Sequence, residues 1–111
     1  MEKLDKLFEK QVILQTRLGN LPYKSDEQRQ KFINMMTIAC IDEVMEAIRE
    51  TRFKDWKKNQ EYNEDKFQDE LVDAWHFLIN LSLASGMTAQ SLYDKFTEKN
   101  KINHERQDRK Y

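Results

Sequence analysis

A hydrophobic stripe that turns acidic without changing face is what most restricts the folds open to this chain. Phe32, Met36, Ala39, Glu43, Glu46 and Glu50 follow one another in steps of four and three, the spacing that brings side chains to one side of a helix. Further on, Glu70 and Asp73 lead into Phe77, Leu81 and Ala84 in the same way. Two helices with these seams aim four carboxylates inward. That is costly unless something positive compensates them. A divalent cation with oxygen ligands is the natural compensation.

The rest of the sequence suits such helices. Two Gly and one Pro among 111 residues, with 35% of residues charged, favour long helices with solvated outer faces and short connections. We expect a single domain over residues 1–111 that buries about two-thirds of its unfolded surface. A net charge of -1 gives no electrostatic case for nucleic acid or a membrane as partner. Cys40 is the only cysteine, which excludes an internal disulfide framework and fits a reducing cytoplasm. The charged, amphipathic start and the lack of a long apolar run point to a soluble protein, neither exported nor membrane-spanning.

Four helices are expected. Leu4, Leu7, Phe8, Gln11, Val12, Leu14, Gln15 and Leu18 repeat at helical spacing over about residues 3–18. Gly19-Asn20-Leu21-Pro22 ends that run. Ser25 or Asp26 caps a second helix running to about Trp56, with Phe32, Met36, Ile38, Val44 and Ile48 inward. Residues 57–64 read as a loop. Asn63 or Asp65 caps a third helix ending near Ser85-Gly86, and Thr88 starts a fourth that extends to about Ile102. The charged segment 103–111 reads as frayed, or ordered only on binding. The fold class is all-α, a four-helix bundle whose apolar flanks, Trp75, Leu71 and Leu78 among them, call for completion by homodimerisation. Cys40, among Ile38, Ala39 and Ile41, reads as a small core residue.

Surface helices are full of E-x-x-E spacings, so either pair alone is weak evidence for a metal. The case strengthens because both pairs continue apolar stripes on consecutive helices, and no basic residue stands at i+4 in the inward rows. Mg²⁺ or Mn²⁺ is what such a cluster selects. Asp73-Ala-Trp-His76 also suggests a di-iron ligand pair. Such sites need a Glu-x-x-His on each of two helices, and no Glu precedes His104 by three residues. His76 reads instead as a packed residue or a substrate contact.

Glu43-Val-Met-Glu46 and Glu70-Leu-Val-Asp73 resemble the E-x-x-E and E-x-x-D motif of the all-α nucleoside triphosphate pyrophosphohydrolases, the MazG-like superfamily. The chain is most similar to the dimeric dUTPase branch. Phe53-Lys54-Asp55-Trp56-Lys57 resembles its F-K-x-W segment, and Glu70 to Phe77 its E-x-x-D-x-x-H-F helix. Lys99, Asn103, Arg106, Gln107 and Tyr111 resemble its terminal K-x-x-x-N-x-x-R-Q-x-x-x-Y pattern.

The resemblance implies hydrolysis of a deoxynucleoside triphosphate, dUTP first, to the monophosphate and pyrophosphate. It implies that Glu43, Glu46, Glu70 and Asp73 hold Mg²⁺, with Glu46 and Glu43 the catalytic acids. Lys57, Lys99, Asn103 and Arg106 become candidates for phosphate binding. Gln11, Gln15, Trp56 and His76 become candidates for the nucleobase. The bland readings are solvated cations, a solvent-facing Gln11, and a Trp56 packed at a helix end. The chain departs from the branch at Gln15, Leu18 and Lys110, where Asn, a Thr neighbourhood and Gly are usual, and it lacks the inserted helices of longer members. Those departures bear on uracil, not on the phosphate chemistry. The alternatives are a pyrophosphohydrolase for dCTP, a purine or a modified nucleotide, and a helical interaction module whose acids form a solvated face.

Overall fold

The computed structural model describes residues 2–109; Lys110 and Tyr111, the last residues of the terminal pattern, lie outside the described residues. The described residues form four helices and no strand: α1 (Glu2–Arg17), α2 (Asp26–Arg49), α3 (Glu64–Ala84) and α4 (Ala89–Asp108). The fold is all-α, a four-helix bundle.

Each start is fixed locally. Ser25 Oγ accepts from the Gln28 amide (3.1 Å), and Asn63 Oδ1 from the Lys66 amide (3.1 Å). Thr88 and Ser91 exchange side-chain and backbone bonds in a capping box. Gly19 closes α1 at φ 82°, a left-handed conformation that costs glycine little.

The centre of the molecule is an antiparallel α2–α3 hairpin. Its pairings run in opposite directions along the two helices: Arg29 Nε donates to the Ala84 carbonyl (2.8 Å), Asn80 Nδ2 to Met36 Sδ (3.3 Å), the Cys40 thiol to the Ala74 carbonyl (3.6 Å), and the Asn63 amide to the Glu50 carbonyl (2.9 Å). Phe32, Met36 and Ala84 are buried at one end with Tyr23, Ile33, Phe77 and Leu81 around them. Phe8, Ile79 and Ala89 form a second cluster, where α1 and the start of α4 meet α3. The hairpin's other end is where the acids meet.

Three expectations need correction. α2 stops at Arg49, not near Trp56, because Gln60 ties residues 54–60 into a closed loop. Its Nε2 donates to the Lys54 and Lys57 carbonyls, and its Oε1 accepts from the Lys54 amide (3.0 Å). Phe53 and Trp56 continue a helical spacing inside that loop without being helical. Ile38, Val44 and Ile48 do not point inward; they are 69%, 47% and 37% exposed, because α3 covers only the opposite side of α2. Finally, α4 continues to Asp108, so residues 103–108 are helix and not a frayed tail. Cys40 is half-buried, against α3.

Candidate functional site

The two acidic seams meet. One carboxylate oxygen from each of Glu43, Glu46 and Glu70 lies within 4.8 Å of the others, all three residues being half-buried. The geometry follows from the hairpin: α2 and α3 run antiparallel, so the acidic end of one stripe faces the acidic end of the other. Asp73 stands exposed one turn along α3, close enough to act on Glu43 through its charge.

Crowding of like charges shifts these groups. Glu43 is pushed up to about 7, first by a hydrogen bond with Glu70, then by burial, then by repulsion from Glu46, Asp73 and Glu70. Glu46 is also raised, by desolvation and then by its interaction with Glu70. Glu43 Oε2 is buried and has no hydrogen-bond partner among the described residues. An acceptor-only oxygen, unpartnered where three carboxylates converge, fits a hard divalent cation.

A polar hollow of ≈ 410 Å³ opens beside the acids, lined by Arg49, Lys54, Lys57, Gln60, Asn63 and Lys66 among others. Arg49 follows Glu46 by three residues, and Lys66 precedes Glu70 by four, so these cations border the acidic end of the hairpin. Of this group only Lys57 was a phosphate candidate from the sequence; Lys54 belongs to the same F-K-x-W segment, and Asn63 was read as a helix cap. Arg49 and Lys66 carry no motif of their own, and their signal is this proximity to the acids along each helix. Lys99, Asn103 and Arg106 are exposed along the second half of α4.

The four nucleobase candidates are not gathered in one place. Gln11 is 4% exposed, which overturns its solvent-facing reading. It lies between α1 and α3, donating through Nε2 to Asn80 Oδ1 (3.0 Å) and the His76 carbonyl (3.5 Å). With His76, Trp75, Lys10 and four aliphatic side chains it lines a groove of ≈ 540 Å³. Gln15 is also buried, but its Oε1 accepts from Asn20 Nδ2 (2.8 Å) and so stitches the end of α1. Trp56 is 74% exposed on the loop, which leaves no room for the packed helix-end reading. Asn80, 2% exposed, was not singled out in the sequence. Its signal was there: it occupies the fourth place in the series 70, 73, 77, 80, 84, a lone amide in the apolar part of the seam.

The family model described as dUTPase matches residues 3–90. The chain belongs to that family. Its helical fold is therefore that of the nucleoside triphosphate pyrophosphohydrolase superfamily. The dCTP pyrophosphatase of Enterobacteria phage LZ5 is 31% identical over 80% of this chain and 56% of its own length. The dCTP pyrophosphatase of Enterobacteria phage T4 is 45% identical over a 42-residue stretch, 38% of this chain and 25% of its own length. The chain thus spans about half the length of the first relative and a quarter of the second. No solved structure matches it. None of the described helices is long and apolar enough to cross a membrane.

Proposed function

We propose that this protein hydrolyses a pyrimidine deoxynucleoside triphosphate to the monophosphate and pyrophosphate, with Mg²⁺ or Mn²⁺ held by Glu43, Glu46, Glu70 and Asp73. The observation that carries this reading is the convergence of three carboxylate oxygens from two helices around the unpartnered Glu43 Oε2. A cation bound there would neutralise phosphate charge and acidify water. Glu46 takes the proton of the attacking water, a role suited to a carboxylate whose proton affinity is raised by desolvation and by Glu70 beside it. Glu43, Glu70 and Asp73 would hold that cation. Lys57 with its neighbours in the loop hollow, and Lys99, Asn103 and Arg106 on α4, bind phosphate oxygens by charge-assisted hydrogen bonds. Gln11 and His76 border the base; Gln15 and Trp56 complete that site only if substrate or a partner draws them in.

The family match favours dUTP. A second reading, dCTP, is favoured by the names of both phage relatives. Pyrophosphate release measured across dUTP, dCTP, dTTP and the purine dNTPs separates the two. Activity confined to one pyrimidine supports the reading, and no release from any dNTP overturns it.

We also propose a homodimer in the cytoplasm. The Cα radius of gyration is 17.4 Å, against about 13 Å for a compact chain of this length. Ile38, Ile41, Met45 and Ile48 make an exposed apolar seam on the side of α2 away from α3. A helix apolar on both sides belongs in an interior, and a second copy supplies it.

A further inference from the structure

Among the described residues Asn80 is the most deeply buried large side chain, and it is polar. An amide in such a place must spend its donors and acceptor on neighbours, and its neighbours dictate which way round it lies. Met36 Sδ, 3.3 Å from Asn80 Nδ2, is a thioether and can only accept. Turning the Asn80 amide over would set two acceptors against each other, Oδ1 and Sδ. Met36 therefore fixes Asn80 with Oδ1 toward α1. Gln11 answers with Nε2, 3.0 Å away, and the same nitrogen faces the His76 carbonyl, another acceptor.

The chain of constraints ends on one atom. Gln11 Oε1 takes no hydrogen bond from any described residue, and it is not among the fully enclosed unpartnered atoms. Gln11 is thus a buried glutamine with its donor used and its acceptor left over. A free glutamine can present either edge by turning over. This one cannot.

We propose that Met36 and Asn80 are positioning residues that lock the Gln11 amide, so that the site reads a planar heterocycle through a hydrogen-bond donor on the ligand, a ring N–H or an exocyclic amine. The placement suits a nucleotide. Helix rise sets Asn80 about 10 Å along α3 from Asp73 and about 15 Å from Glu70, so the seat of the base and the acids lie along the same helix. Trp75 and His76 border the same groove, aromatic side chains against which a ring can pack. A base turned to present an acceptor at Gln11 would leave two acceptors unbonded together, the kind of mismatch that gives polar sites their discrimination. This inference rests on the base being seated against Gln11, as proposed above.

Met36→Leu is the test, because it keeps volume, lies away from any ligand, and removes only the acceptor that orients Asn80. The expected result is a KM effect without a kcat effect. The dUTP-to-dCTP ratio of kcat/KM collapses by up to about tenfold, the worth of one hydrogen bond, while kcat on the preferred substrate stays within about twofold. Asn80→Asp, which is isosteric and when protonated keeps both bonds, retains the wild-type ratio. An unchanged ratio in Met36→Leu overturns the proposal. A second readout is independent of turnover: in ¹⁵N spectra the Gln11 side-chain amide protons exchange slowly in wild type and faster in Met36→Leu. Fast exchange in wild type overturns the lock. Slow exchange in a protein that hydrolyses no dNTP instead leaves the lock standing and removes the substrate reading.

Discussion

Replacing Glu43 by Gln has opposite consequences with and without a divalent cation. Without one, Glu43 faces the charges of Glu46, Glu70 and Asp73, and its pKa rises from 4.5 to about 7. The sign follows from proton counts. The folded protein binds the extra proton between those values and the unfolded chain does not. The stabilising contribution of protonated Glu43 is complete below pH 4.5 and lost as pH climbs through 7. The full interval corresponds to about 3 kcal/mol; discounted for solvent around a half-open site, about 1–2 kcal/mol remains. Two charges 4.8 Å apart give a similar figure, about 1 kcal/mol per pair in water-like surroundings. Gln mimics the protonated acid. Glu43→Gln in EDTA at pH 8 should therefore melt about 4–10 °C above wild type, and near wild type at pH 5. With saturating Mg²⁺ or Mn²⁺ the order reverses. Wild type gains about 2.7 kcal/mol at a hundred times Kd, and the variant, short of one ligand, gains little. Circular-dichroism melts in EDTA and in metal, at both pH values, read this directly. A variant less stable than wild type at pH 8 in EDTA, or one that keeps the full metal shift, refutes the reasoning.

Glu46→Gln should lower kcat about 100-fold or more, the usual range for loss of a general base, and a kcat within threefold of wild type would remove Glu46 from proton transfer. Ile38→Asp puts a charge in the exposed α2 seam and should convert a sedimenting dimer to monomer; a wild-type monomer, or a variant dimer, contradicts the proposed interface. Gln60→Ala removes the bonds that close the loop and should speed tryptic cleavage after Lys54 and Lys57 severalfold while α-helical signal is kept. Equal cleavage rates would show that the loop does not depend on Gln60.

What could be read from residues alone was whatever local chemistry determines. Ser25, Asn63 and Thr88 announce helix starts because a side-chain oxygen one turn before free amides is a local device. The meeting of Glu43, Glu46 and Glu70 was legible because apolar spacing predicts which faces touch once two helices pack antiparallel. The end of α2 was not legible. Phe53 and Trp56 kept the helical beat, but the backbone groups a continuing helix would pair are taken by others, the Lys54 amide by Gln60 and the Glu50 carbonyl by the Asn63 amide. Ile38, Val44 and Ile48 misled for a related reason: α2 is apolar on two sides, and periodicity alone does not say which side this chain covers. Asn80 was not legible because its partners, Gln11 and Met36, are distant in sequence and meet it only in the fold.

The proposed chemistry needs a divalent cation seated among the acids of α2 and α3. Mn²⁺ titration followed by electron paramagnetic resonance, with a non-hydrolysable dUTP or dCTP analogue present, measures that seat directly through the loss of the free-ion signal. Wild type should withdraw Mn²⁺ stoichiometrically, with affinity rising as pH climbs through about 7, where Glu43 gives up its proton, and Glu43→Gln and Glu70→Gln should each weaken it at least about tenfold. A free-ion signal undiminished by wild type at millimolar Mn²⁺ with either nucleotide would contradict the account.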